Sequence, residues 1–325
     1  MPPIAPREEK TAIGLALMAL SVVFFTMIDT SAKWLVLAGL APLQVVFVRY
    51  AGHFVVSLLL FLPREGVSVF RTARPGKQLL RALFLAGSTL CNFVALSYLP
   101  ITVTTTIMFA GPIVVTLLAI PVLGEKVGIH RIAAVCVGFI GVLVVMQPWG
   151  AGFHPAMFLS IGAVLSASCY FIMTRMLAGQ ESNATSQLWG AGVPTLMLAP
   201  LAIPGWVWPD TTTGFTVLTL IGVFGALGHI ATTTAHRLAD ASILAPVVYI
   251  QILLAAIAGI LVFDTWPTIW TFGGGLIIIA AGLYIWHRER SLNRRTTLSR
   301  RGGPPIWTRS RRFGTSDRRT LKFYM

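Results

Sequence analysis

Five ionisable side chains stand within long apolar stretches of the sequence: Asp29, Arg49, His53, His229 and, near one end of its stretch, His236. A charge in such surroundings is costly unless it faces a bundle interior, a wet cavity or a partner, so each is a candidate for a working site. Asp29 and Lys33 are four residues apart, as are Arg49 and His53, and on a helix each pair shares a face. Asp29 lies six residues before the end of its predicted helix, and Arg49 six after the start of the next. At a rise of about 1.5 Å per residue, both sit roughly 9 Å below the same surface, which predicts an ion pair. Arg49 is the one arginine read as lying well inside a span, and it keeps its proton, so it needs that partner or water. Two roles stand open for the pair: a packing salt bridge, or charges that meet a substrate and gate a cavity. His53 reads as a hydrogen-bonded polar side chain. His229 and His236, seven residues apart, could share a face but lack a third ligand, so no metal site is predicted.

Uncharged residues add to this set. Pro112 and Pro246 interrupt two apolar segments, each removing a backbone donor and crowding the preceding turn. Asn92, Tyr249 and Gln251 lie near them and are candidates to line a cavity, against ordinary interhelical hydrogen bonding. The threonine runs 104–106 and 232–234 are expected to bond their own helix carbonyls.

The elements that must position these residues are apolar helices. The chain is 55% hydrophobic and 11% charged, with a mean hydropathy of +0.78, whereas soluble domains carry about 25% charged residues. Segments of roughly 20 apolar residues cross a bilayer. Ten are predicted, at 12–35, 43–62, 79–98, 102–122, 132–147, 155–174, 185–204, 214–236, 241–262 and 268–287. Leu99–Pro148 returns as Leu238–His287 with a shift of 139 residues, which brings Glu125 onto Asp264 and Pro112 onto Gln251. Thr11–Trp34 likewise resembles Ala156–Met176, with Lys33 on Arg175. A long-period repeat governs the fold. Five crossings per copy is an odd number, so the second copy enters from the opposite face, and the halves are predicted to be inverted repeats.

Charge orients them. With the N-terminus inside, the inner connections hold Arg7, Lys10, Arg64, Arg71, Arg74, Lys77, Lys126, Arg131, Arg175 and Arg237. The outer ones hold no Lys or Arg, and carry Trp149, Trp206, Trp208 and Trp266 instead. Both features fit the positive-inside rule and the aromatic belt. No cleavage site follows an apolar core near residues 1–10, so the first helix is expected to be retained. Of the net +14, residues 288–325 carry +10. That tail lacks a hydrophobic period and is predicted to be disordered, meeting anionic lipid rather than nucleic acid. Cys91, Cys136 and Cys169 lie in apolar segments and read as packing residues. No phosphate-binding loop of the GxxxxGK[ST] kind, nucleophile–base set or cofactor motif is present, so neither an enzyme nor direct use of ATP is predicted.

These residues carry a resemblance. Arg49, Gly111-Pro112 with LGEK at 123–126, LAPVVYIQ at 244–251, WP at 266–267 and the following GGGLIIIAAGLYIW resemble the ten-helix members of the drug/metabolite transporter superfamily that are built from two EamA domains. FDT at 263–265 departs from the Gly-Glu pair usual there. The resemblance covers about residues 12–287. It implies an all-α membrane protein of ten transmembrane helices in two inverted repeats, 12–148 and 149–287, between a cytoplasmic N-terminus (1–11) and the basic tail (288–325). It also implies a carrier in a bacterial inner membrane that moves a small metabolite by alternating access, without a cofactor. Sparse interior charge favours a neutral or zwitterionic solute. The bacterial riboflavin transporters are the nearest likeness, and S-adenosylmethionine uptake and amino-acid export are the rivals. A membrane-embedded sensor is the alternative from another class, and a homodimer is left open.

Overall fold

The computed structural model of the protein describes residues 7–123, 128–150, 152–177, 180–239, 244 and 247–301. Among these every regular element is helical: α1 (Arg7–Leu37), α2 (Pro42–Glu65), a 3₁₀ turn (Gly66–Phe70), α3 (Pro75–Leu96), α4 (Ile101–Met108), α5 (Gly111–Leu123), α6 (Ile129–Met146), α7 (Met157–Leu177), α8 (Asn183–Ala202), α9 (Thr212–Leu238), α10 (Ile250–Phe263) and α11 (Ile269–Arg301).

Local chemistry sets the ends. Gly39 takes a left-handed φ of 98° after α1, and its N–H reaches the Val36 carbonyl while that of Leu40 reaches Leu35. This is the paired closure that glycine permits beyond a last turn. Prolines open α2 and α3, where the missing donor has no intrahelical partner. The hydroxyls of Ser182 and Thr211 cap α8 and α9 by accepting from the N–H groups of Thr185 and Gly214. Asp264, at the departure from the Gly-Glu pair, closes α10 with φ 49°.

Among the described residues, seven helices are long and apolar enough to cross a membrane, and Ile132–Met146 and Ile250–Phe263 are shorter apolar helices. Large side chains point away from the bundle, with Leu59 71%, Leu196 78% and Leu261 78% exposed. The packed interior meanwhile holds Lys33, Arg49, His53, Gln78, Arg81 and Gln187. Such an exterior suits lipid, in which polar groups must find partners inside the protein.

The predicted crossing 102–122 is broken. Phe109 and Ala110 form a turn between α4 and α5, just before Pro112, which sits in the first turn of α5. A second turn, at Tyr249, precedes α10. The starts of α5 and α10, Gly111 and Ile250, are separated by the same 139 residues that relate the two halves of the sequence. Pro246 lies outside the described residues, as does the elbow Gly124–Lys126. The two breaks meet: the rings of Phe109 and Tyr249 are 5.3 Å apart.

Packing repeats as well. α1 packs on α9 as α7 packs on α3; α2 packs on α9 as α8 packs on α3; and α1 meets α10 as α7 meets α5. Exchanging each helix with its counterpart five segments on converts one set of pairs into the other. Closest approach comes where glycine faces glycine. A Cβ on Gly222 of α9 would stand 2.6 Å from the Cα of Gly52 on α2, so only the absence of side chains lets these backbones touch.

The bundle is one compact unit, Met1–Trp286. In the second unit, His287–Met325, residues 287–301 are helical, and the rest of the tail predicted to be disordered lies outside the described residues. The run RERSLNRRTTLSRR contains no helix breaker, and the first comes at Gly302-Gly303-Pro304-Pro305.

Candidate functional site

A polar chain threads the apolar core formed by α1, α2, α3, α8 and α9. It begins on α1, where the Asp29 carboxylate accepts from Nδ2 of Asn92 on α3 at 3.0 Å. One turn earlier on α3, the Thr89 hydroxyl meets Arg49 Nη1 at 3.4 Å and the Tyr50 hydroxyl at 2.7 Å. The Arg49 guanidinium also stacks over the Tyr50 ring at 4.8 Å and sends Nη2 to Nε2 of His229 on α9 at 3.3 Å. A guanidinium can only donate, so His229 Nε2 is the bare nitrogen of a neutral ring. His53 stacks on His229, with ring centres 5.4 Å apart and 14° between planes. Its Nε2 donates to Gln187 Oε1 on α8 at 3.2 Å, and Gln187 Nε2 reaches Thr233 at 3.4 Å. Five helices are thus tied by side chains from both halves of the sequence.

The expected ion pair is replaced by this arrangement. No salt bridge joins Asp29 to Arg49: the carboxylate is held by Asn92 and the guanidinium by Thr89 and His229. Equal depth was the whole basis of the pairing. It says nothing about azimuth, and α3 supplies neutral partners for both charges. Lys33 turns away from Asp29 as well, donating to the carbonyls of Leu96, the last residue of α3, at 3.2 Å and of Leu99 just beyond it at 2.5 Å, with its ammonium 5.4 Å from the Phe263 ring. His236 is exposed, whereas His229 packs against His53 and Arg49. Among the described residues no group of three His, Cys, Asp or Glu could hold a metal.

The remaining candidates divide. Asn92 joins Asp29, whereas Tyr249 lies on Phe109 and presses its hydroxyl against Gly282. Gln251 is half-buried in the first turn of α10, and neither it nor Tyr249 bonds Asn92. Pro112 is exposed. Thr104, Thr106, Thr233 and Thr234 bond carbonyls of their own helices, while Thr232 Oγ1 is buried without a partner. A groove of about 890 Å³ opens elsewhere, between the ends of α1 and α10, lined by Lys33, Trp34, Phe263 and Asp264 among others.

One buried charge escaped the sequence reading. Arg81 is 4% exposed and binds across three helices. Nε donates to Thr174 at 2.8 Å and Nη2 to the Tyr170 hydroxyl at 3.1 Å, both on α7. Nη1 donates to the Ser186 carbonyl on α8 at 3.0 Å and to Gln78 at 3.4 Å. Arg81 falls three residues into span 79–98, close enough to the basic loop to pass as part of it. Its apolar neighbours Leu79, Leu80, Ala82 and Leu83 were the available signal.

The model of the EamA-like transporter family matches residues 12–147 and again 154–286. The chain belongs to that family. An S-adenosylmethionine uptake transporter of Rickettsia bellii is 29% identical over 279 residues, 86% of this chain and 95% of its own. A riboflavin transporter of Vibrio cholerae is 31% identical over 259 residues, 79% and 87% respectively. A crystal structure 16% identical in sequence superposes with a TM-score of 0.59 over 86% of this chain and 97% of its own, which supports the fold. EamA membership makes the chain a multi-pass membrane transporter of the drug/metabolite transporter superfamily, and its function is transport rather than catalysis.

Proposed function

We propose that the chain is a secondary carrier of ten spans, arranged as two inverted halves, 12–148 and 149–287, in a bacterial inner membrane with both termini cytoplasmic. Its substrate is a neutral or zwitterionic metabolite moved by alternating access. Riboflavin, which is neutral, is the first candidate, and S-adenosylmethionine, a zwitterionic head joined to a sulfonium cation, is the rival; both are named for the relatives. The observation that carries this reading is the polar chain from Asp29 to Thr233, which leaves buried hydrogen-bonding atoms of Arg49, His53 and Asn92 without partners. Unsatisfied buried groups cost roughly 1–3 kcal/mol each, and a membrane protein keeps them where they are used.

The inverted arrangement rests on the exchangeable helix pairs, on the matching breaks before Gly111 and Ile250, and on the Lys/Arg asymmetry. Broken helices in corresponding positions of two inverted halves are a mark of alternating access. The basic residues from Arg288 onward lie beside the cytoplasmic leaflet and meet anionic lipid. Uptake of labelled riboflavin and S-adenosylmethionine into cells lacking their own carriers tests the proposal. Expression of the chain should raise uptake of one of them above the vector control, and Arg49→Gln should remove the gain. Absence of transport for both solutes, in either direction, defeats it.

A further inference from the structure

Two connections of the chain are each gripped by the other half. The segment after α8 is held by α2: Gln44 Nε2 donates to the Val207 carbonyl at 2.6 Å, and the Val207 N–H donates to Gln44 Oε1 at 3.1 Å. Gln44 lies buried in the first turn of α2. Beside it the Phe47 ring meets the Trp206 ring edge-on at 6.2 Å. The segment after α2 is held in the same way at the start of α8. Glu181 Oε1 accepts from the Thr72 hydroxyl at 2.6 Å and from the Ala73 N–H at 3.2 Å, and Trp189 Nε1 donates to the Phe70 carbonyl at 3.1 Å. Val69 is buried there with Ala184 and Leu188 of α8. Exchanging α2 with α8 turns one grip into the other, the same exchange that relates the helix pairs. The grips stand at opposite ends of α2, whose 24 residues span about 36 Å. Between them lies the backbone contact of Gly52 with Gly222, and a Cβ on Gly192 of α8 would stand 2.8 Å from the Phe54 ring.

We propose that α2, α8 and α9 form a seam that stays shut throughout the transport cycle, and that access changes by movement of α4, α5 and α10 at their turns. The seam is closed at both ends and in the middle at once. Neither end opens without breaking paired hydrogen bonds to backbone groups, and the glycine contact has no side chain that could repack to follow a tilt. The broken helices are built otherwise. Pro112 brings no N–H to the Met108 carbonyl, and turns at Phe109–Ala110 and Tyr249 already interrupt the ladder, so bending there gives up little. Rocking of one half against the other needs a line of contact that does not part, and Gln44, Glu181 and Trp189 fasten that line. This rests on the carrier reading above and assigns its fixed and moving parts.

Bridging the seam tests this. In the full-length chain with Cys91, Cys136 and Cys169 changed to alanine, Gln44→Cys is paired with Val207→Cys and Thr72→Cys with Glu181→Cys, and each pair is joined by a short, reducible thiol-bridging reagent. With both bridges in place, uptake of the solute that the chain carries should equal that of the same variant after reduction. Loss of uptake on bridging either end, restored by reduction, overturns the proposal. Phe109→Cys with Tyr249→Cys, bridged in the same way, should lose uptake and regain it on reduction; equal uptake in both forms overturns the assignment of movement to the turns. Where a seam pair does not fold, Phe47→Cys with Trp206→Cys or Phe70→Cys with Trp189→Cys takes its place. Nitroxide labels on the same pairs, read in lipid vesicles without solute, answer independently of transport. One dipolar-coupled population is expected at each seam end and two populations at the turns. An uncoupled fraction at either seam end overturns the proposal, whatever the chain carries. A coupled seam in a chain that moves neither solute counts against the carrier reading alone.

Discussion

Replacing Gly222 by alanine tests how the site is held together. A Cβ at Gly222 would meet the Cα of Gly52 at 2.6 Å, its carbonyl carbon at 3.0 Å and the backbone nitrogen of His53 at 3.2 Å. All three are backbone atoms, so no rotamer change relieves the clash. Carbon atoms pack at about 3.5–4.0 Å, so α2 and α9 must separate by about 1 Å. The Arg49–His229 bond, 3.3 Å in the native packing, would stretch to about 4.3 Å and be lost. Overpacking of this kind costs about 1–3 kcal/mol, and about 1–3 kcal/mol more follows from stranding a guanidinium donor. Gly222→Ala should therefore lower the thermal midpoint in detergent and cut initial uptake by about tenfold or more. Gly162→Ala is the control, because its Cβ would meet only Cys91 Sγ at an ordinary 3.7 Å. If Gly222→Ala keeps both the midpoint and the uptake of Gly162→Ala, the close approach does not set the site and the reasoning fails.

Three further outcomes are expected. Arg81→Lys should destabilise by about 2 kcal/mol or more, because one ammonium cannot replace bonds directed to Thr174, Tyr170 and Ser186; an unchanged thermal midpoint would count against this. Pro112→Ala should hold or raise expression while lowering the rate of transport, since it lets α4 run into α5 across the Phe109–Ala110 turn; unchanged uptake kinetics would show that the break is not a hinge. Alkaline phosphatase fused after Gly150 or Asp210 should be active and after Arg290 inactive; activity at the last position would reverse the orientation and remove the inverted-repeat argument.

Local and statistical properties were legible in the chain itself. Hydropathy located the helices, because each must satisfy its own backbone and present an apolar surface along its length. The sequence offered Pro112 and Pro246 as interruptions: the first lies just past an observed turn, and the second lies outside the described residues, while the turn at Tyr249 carried no signal of its own. Pro112 acts on the turn that directly precedes it, an effect confined to a few residues and therefore readable. Asp29, Arg49 and Asn92 stood out because charge and amide groups are scarce among apolar neighbours.

Which of these groups meet was decided only by tertiary structure. Asp29 binds Asn92 and not Arg49, His53 of α2 stacks on His229 of α9, and Gln187 bridges His53 to Thr233. Depth in a helix can be counted along the sequence, but partnership depends on the azimuth and distance at which two helices cross. That crossing is fixed where Gly52 meets Gly222, a contact between residues 170 positions apart with no side chains to announce it. Arg81 shows the same limit. Its place nearly two turns into α3, next to the basic loop, resembles a loop charge until α7 and α8 close over it, and a buried guanidinium and a surface one have identical sequences.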